Sequence, residues 1–219
     1  MNHSYFNDVV VYGPGFMAAS WLVLWLTIST IIVSWICGLA AALAQRSDWI
    51  AVRGVAEFYI WFIRGTPALI QIFIIYFGLP QLGLRLSPFS AGVFALGINS
   101  GAYVAEIIRA GLSAIHKGQM ESSFALGFSR AQTMRTIILP QVLRIILPAI
   151  TNEAISALKN TSLLSTITVV ELTLYAQTLI SATFRPFDFY IAVALIYLAL
   201  TTMLTQLANW LERHYARMS

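Results

Sequence analysis

Ionisable and amide side chains inside long apolar runs are where this sequence could do chemistry. At about 100° per residue, Asn152, Glu153, Ser156, Lys159 and Asn160 share one helix face, within an arc of about 120°. A charge at the centre of a bilayer costs ~2.5–3.5 kcal/mol on insertion scales, so each such residue needs a partner or a task. A stripe holding a carboxylate, an ammonium and amides suits a zwitterion better than a sugar or a bare ion. Glu153 and Lys159 are poorly spaced to pair with each other. The competing reading is that both neutralise charges on neighbouring helices. Asn99, Tyr103 and Glu106, at i, i+4 and i+7, form a second inward stripe. A third cluster is Arg64-Gly65-Thr66-Pro67, where Pro67 removes a helical hydrogen bond and clashes with the carbonyl of Ile63. A kink or break is expected there, of the kind tolerated where freed backbone lines a cavity or is buried in protein. Glu57, Arg64 and Gln71 recur at intervals of seven and so are expected to share one face. Arg64 is expected to pair or snorkel, leaving Thr66 and Gln71 as pathway candidates.

Other chemistries lack their residues. The three histidines (His3, His116, His214) are scattered and Cys37 is the one cysteine, so no metal site and no disulfide are expected. There is no pairing of nucleophile and base, hence no catalytic residue to name. No G-x4-G-K-[ST] phosphate loop occurs, nor a polar stretch long enough for a nucleotide domain, so the chain is expected to be neither an enzyme nor a motor.

The elements that must position these residues are membrane helices. With 58% hydrophobic and 10% charged residues and a mean hydropathy of +0.76, a water-soluble globule is a poor candidate. Uncharged apolar runs of bilayer length give an all-α membrane protein with five spans, about 16–44, 54–79, 89–112, 145–172 and 189–211, in a single domain 1–219. Met1 to Asp8 has no basic region of a signal peptide, so the first run is expected to stay in the membrane. No internal repeat is visible, and five spans do not split into inverted halves, which weakens a self-contained secondary transporter. Gly97 and Gly101 form a GxxxG pair, expected to serve packing within the chain rather than a dimer.

One long polar segment interrupts the apolar runs, the elbow 116–144, HKGQMESSFALGFSRAQTMRTIILPQVLR. It reads as two short helices folded on each other. Phe124-Ala125-Leu126 ends the first, and Gly127 is a left-handed stop. Ser129 caps the second with Gln132 as its capping-box partner, and Pro140 is expected to end it. The Lys/Arg bias orients the chain: Arg46, Arg53, Arg109, Lys117, Arg130, Arg135, Arg144, Arg213 and Arg217 fall on one side, against Arg85 and Arg185 on the other. This nine-to-two split puts the elbow and C-terminus in the cytoplasm and the N-terminus outside. The net charge of +4 therefore reads as topology, not as nucleic-acid affinity.

The elbow's residues also carry a resemblance. Glu121-Ser122-Ser123, Gly127 four residues after Ser123, then Ile137, Leu139 and Pro140 keep every spacing of E-A-A-x3-G-x9-I-x-L-P. This resembles the EAA motif of permease subunits of ABC importers, with Ser122-Ser123 where the family usually has two alanines. IRGTPALIQIFIIYFGLP (63–80), GAYVAEIIRAGLSAIHKGQ (101–119) and LPAITNEAISALKNTSLLSTITVVELT (147–173) look like its polar amino acid branch. The resemblance implies a type I importer transmembrane domain in a bacterial inner membrane. Its partners would be a second permease subunit (a copy or a related chain), an ABC ATPase that binds ATP and Mg, an external solute-binding protein, an amino-acid substrate and membrane lipid. The elbow would be a coupling helix, with Glu121, Ser122, Ser123, Ala125, Leu126, Gly127 and Pro140 as coupling residues. Thr66, Gln71, Asn99, Tyr103, Glu106, Asn152, Glu153, Ser156 and Lys159 would be candidates for the substrate pathway. Two other classes compete: an ion-gradient-driven transporter or channel using Glu106, Glu153 and Lys159 as a relay, and a non-transporting scaffold that docks a partner on the elbow.

Overall fold

The computed structural model describes residues 5–216, and every regular element in that range is helical. α1 (Tyr5–Ala44) begins well before the expected span and crosses without interruption. α2 (Ile50–Gly65) stops at Thr66, whose extended backbone (φ −121°, ψ 147°) is what a following proline imposes. α3 (Ala68–Phe73) starts after Pro67, bent 112° from α2, and continues through a wide turn to Leu82. Glu57, Arg64 and Gln71 therefore do not share a face, because the break lies between the second and third of them. α4 (Pro88–Ser113) opens on Pro88, with the Ser87 side chain accepting from the Ser90 amide.

The second half departs further from expectation. α5 (Lys117–Ala125) is followed by α6 (Arg130–Thr133), and α6 does not stop at Pro140. It passes through a widened turn, Met134–Ile138, straight into α7 (Leu139–Asn160). The Leu139 amide bonds back five residues to the Met134 carbonyl, so the turn is already opened where Pro140, which has no amide hydrogen to donate, enters the rod. The elbow and the fourth span are thus one rod of 38 residues, Arg130–Ile167, rather than a loop followed by a helix beginning at 145. A 3-10 stretch, Thr161–Ile167, ends at Thr168 in the left-handed conformation. Beyond it lies a helix where a loop was expected, α8 (Leu172–Thr183), and α9 (Pro186–Ala216) completes the bundle.

Contacts fix the helix directions. Cβ atoms placed on Gly97 and Gly101 would lie 2.5 Å and 2.7 Å from side-chain atoms of Val33 and Cys37, so α4 and α1 approach closely and run parallel. The GxxxG pair serves packing within the chain. Parallel α1 and α4 require the chain between them to cross back, so the broken α2–α3 pair is a span and not a re-entrant loop. It brings the number of spans from four to five. Ile72 accordingly packs with Leu26 and Ala91, near the beginning of α4, while Ile60 and Ile63 pack with Ala41, Ala42 and Ala105. α7 runs against α4, with Gly92 facing Leu164 and Gly111 facing Ile146. α9 runs with α1, as Phe16 meets Phe189. The elbow, the α1–α2 turn and the end of α9 therefore share one end of the bundle, and Arg185 lies at the other. Arg217, counted in the charge bias, lies outside the described residues. The outer faces stay uncovered, with Trp21 at 61% and Leu195 at 60% exposure, as suits helices solvated by lipid.

Candidate functional site

The elbow is built almost wholly by local hydrogen bonds. His116 Nδ1 accepts from the Gly118 amide at 3.1 Å and caps α5. At its far end Gly127 takes φ 85°. The Gly127 amide donates to Phe124 O and the Phe128 amide to Ser123 O, both at 3.0 Å, which is the paired pattern of a Schellman turn. Ser129 Oγ then accepts from the Gln132 amide at 3.3 Å while Gln132 Oε1 accepts from the Ser129 amide at 2.9 Å, a complete capping box. No atom lies within 4 Å of a Cβ placed on Gly127, so the glycine supplies a backbone conformation and not room for two helices to close.

Of the two serines, Ser123 is buried and donates toward Thr133 Oγ1 at 3.0 Å and Met120 O at 2.9 Å, tying α5 to α6. Ser122, Glu121, Ala125 and Leu126 face outward, Leu126 at 76% exposure. With exposed Phe124 and Met120 they give the tip of the elbow an apolar surface carrying one carboxylate. Pro140 is exposed but stands in the rod, away from that turn.

The intramembrane candidates separate into three groups. Thr66, Gln71 and Asn99 close the helix break. Gln71 Nε2 donates to Ile63 O (2.8 Å), Thr66 O (3.1 Å) and Thr66 Oγ1 (2.7 Å), and Asn99 Nδ2 donates to Gln71 Oε1 at 3.0 Å. The amide side chain thus replaces donors that Pro67 and the bend remove, and Gln71 and Asn99 are both buried. Glu106 forms the second group. It accepts from Arg109 Nε at 2.9 Å and from Arg64 Nη1 at 3.1 Å, and the Arg64 guanidinium lies 5.6 Å from the Tyr103 ring centre. This cluster ties the end of α2 to α4.

The third group is the stripe on α7. Glu153 Oε1 accepts from Ser100 Oγ at 2.7 Å, and Ser156 Oγ donates to Asn152 O. Lys159 is exposed and lines a cavity of about 330 Å³ with Thr201, Thr202, Thr205 and Gln206 of α9. Among the described residues no carboxylate lies within ion-pairing distance of its ammonium.

Two charged sites escaped the sequence. Glu171 is fully buried and caps α8, accepting from the Thr173 and Leu174 amides (2.8 and 3.0 Å) and from Tyr197 Oη (2.9 Å). Its signal was a carboxylate two residues before Thr173 at the close of an apolar run, a helix start that the unbroken hydropathy concealed. At the end opposite the elbow, Arg185 donates to Asp188 at 2.7 Å and to both carboxylate oxygens of Asp8 at 3.2 and 2.8 Å. Hydrogen bonds donated to Asp8 and Asp188 raise its pKa above the usual arginine range. The clamp fastens the start of α1 to the α8–α9 corner, and a pairing of residues so distant in sequence leaves no local pattern.

Comparison with known proteins agrees with this architecture. Residues 31–217 match the family described as binding-protein-dependent transport system inner membrane component. The glutamine transport system permease protein of Escherichia coli K12 is 43% identical over 195 residues, covering 88% of this chain and 89% of that protein. The arginine transport system permease protein of Bacillus subtilis is 36% identical over 209 residues, covering 95% of each. A crystal structure of an amino acid ABC transporter with histidines superposes with a TM-score of 0.90 at 42% identity, covering 98% of this chain and 100% of that one. A methionine ABC transporter shares the fold at 17% identity, with a TM-score of 0.73 over 89% of this chain and 93% of its own. The chain belongs to the inner membrane components of binding-protein-dependent transport systems.

Proposed function

We propose that this chain is the permease subunit of an ATP-driven importer carrying a polar amino acid into the cytoplasm by alternating access. The observation that carries the proposal is the elbow: a doubly capped turn with an apolar, carboxylate-bearing tip, continuous with the rod that bears Glu153 and Lys159. A rigid tip on a spanning rod is what a separate ATPase needs in order to move the membrane domain. Glu121, Ser122, Ala125 and Leu126 would meet the ATPase, while Ser123 and Gly127 keep the tip in shape. ATP and Mg would bind to that partner. A second permease subunit would cover the polar face of α7, and an external solute-binding protein would deliver the amino acid at the Arg185 end.

In this reading the elbow end is cytoplasmic, as the basic residues clustered there favour. Asn152, Glu153, Ser156 and Lys159 form the pathway face, where an ammonium can meet a substrate carboxylate and a half-buried carboxylate its amine. Tyr103 and Glu106 stand toward the cytoplasmic end of the same route. Thr66, Gln71 and Asn99 support it from behind by holding the broken span in shape. The names of similar proteins favour amino acids such as glutamine and arginine.

The test is reconstitution with the cognate ATPase and binding protein in proteoliposomes, measuring ATP hydrolysis and uptake of labelled amino acids. Uptake that requires ATP and binding protein together supports the proposal. Uptake driven by an ion gradient without ATP overturns it.

A further inference from the structure

On the side of α7 away from its polar stripe, a groove of about 550 Å³ runs between α7 and α1. Leu139, Leu143 and Leu147 form its wall with Trp35 of α1, and Arg135 and Arg144 line it as well. At 100° per residue, Leu143 lies about 160° round the helix from Lys159 and about 180° from Asn152. The groove therefore faces away from the polar face of the rod. Leu139 and Leu143 are 43% and 48% exposed in it, and at this depth in a bilayer the available solvent is hydrocarbon.

The two arginines set this groove apart from the rest of the lipid-facing surface. Arg53, Arg64, Arg109 and Arg185 each lie against a carboxylate of the chain. Arg135 and Arg144 are exposed, and among the described residues neither has a carboxylate within ion-pairing distance. Their α-carbons are about 13 Å apart along the rod at 1.5 Å per residue. Nine residues at about 100° each put them about 180° apart round the helix, so they stand at opposite edges of the groove, and both side chains lean toward the elbow end of the membrane. Guanidinium forks match phosphate oxygens bidentately, and basic groups at a membrane face favour lipids of net negative charge.

We propose that this groove is a binding site for an anionic glycerophospholipid, one acyl chain along Leu139, Leu143 and Leu147, the headgroup phosphate on Arg135 at the elbow end, and Arg144 adding positive charge at the opposite edge. The occupant is a lipid of the leaflet on the elbow side, and the site does not depend on which solute the complex carries. It would place a lipid contact on the same rod that joins the elbow to Lys159.

The experiment is native mass spectrometry of the intact complex titrated with phosphatidylglycerol or phosphatidylethanolamine of identical acyl chains. The wild-type complex should retain phosphatidylglycerol preferentially. The Arg135→Gln/Arg144→Gln double variant should retain it about thirtyfold less well, taking the contribution expected of two basic residues at a membrane surface. Leu143→Trp fills the groove without touching either charge and should also lose the lipid, with the melting temperature of the complex reporting that each variant is folded. Equal retention of the two lipids by the wild type overturns the proposal, as does undiminished phosphatidylglycerol in both variants. Loss of the ATPase with lipid retention unchanged also overturns it, because the face would then be a protein contact.

Discussion

Gly127 gives the sharpest test of how the elbow is built, because volume and backbone conformation rank alanine and asparagine in opposite order as its replacements. The residue sits at φ 85° with open space where a Cβ would go. An L residue held in the left-handed conformation costs about 1–2 kcal/mol, and asparagine tolerates it better than other side chains. The turn that would have to yield is held by the Gly127 and Phe128 amide hydrogen bonds, each 3.0 Å long and each worth about 0.5–1.5 kcal/mol net. For Gly127→Ala the strain is comparable with what holds the turn, so the fraction of correctly shaped elbows should fall by about five- to thirtyfold relative to its alternatives, at 1.4 kcal/mol per factor of ten. Gly127→Asn should lose less although asparagine is larger, and Gly127→Val, β-branched, should lose most. The assay is the concentration of ATPase needed to half-saturate binding-protein-stimulated hydrolysis by the membrane subunits in proteoliposomes. The expected order is Gly, Asn, Ala, Val. An order of Gly, Ala, Asn, Val would follow side-chain size and refute the conformational argument.

Three further outcomes follow from the same geometry. Ser123→Ala restores the residue usual in the family but leaves the Thr133 hydroxyl without its 3.0 Å partner; it should destabilise the complex by about 1–3 kcal/mol, and adding Thr133→Val should recover most of the loss in a thermal-melt double-mutant cycle. Gln71→Leu strips the donor from the Ile63 and Thr66 carbonyls and should cost more melting temperature than Asn99→Leu, which removes one neighbour of Gln71 and leaves the broken helix closed. Lys159→Met should abolish amino-acid uptake while basal ATP hydrolysis and complex assembly persist, and loss of assembly instead would make Lys159 a packing residue.

Much of the elbow was legible because its signals are local. A glycine four residues past Ser123, a serine cap with glutamine at the right distance and a following apolar run each act within one turn of helix. Pro67 was legible for the same reason, since a proline and the residue before it restrict their own backbones. Pro140 was misread by that very rule. A proline's effect depends on the turn before it, and the widened turn at Met134–Ile138 has no mark in the composition. α8 was hidden because Leu172–Thr183 is too short to span a bilayer and mixes Gln177 and several hydroxyl residues with its apolar ones, while Glu171, which caps it, closes an apolar run. Long-range pairs such as Arg185 with Asp8 were out of reach of any local pattern.

Continuity through Pro140 changes how the elbow would act. A flexible loop between docking tip and span would dissipate movement of the tip, whereas one rod carries it. From Arg130 to Lys159 the rod rises about 44 Å at 1.5 Å per residue, so a small rotation about its middle moves both ends by comparable amounts in opposite directions. The Schellman turn and capping box hold the tip against the start of this rod, and Ser123 with Thr133 ties them side to side. Ser100 holding Glu153 gives the rod a polar contact on α4 about 9 Å from Lys159 and about 35 Å from Arg130 at 1.5 Å per residue. Tilting about such a contact would move Lys159 relative to α9 by about a quarter of the tip's displacement, in the opposite direction. The widened turn is the weak point in the rod, and stiffness there would decide how much of the displacement reaches the charged stripe.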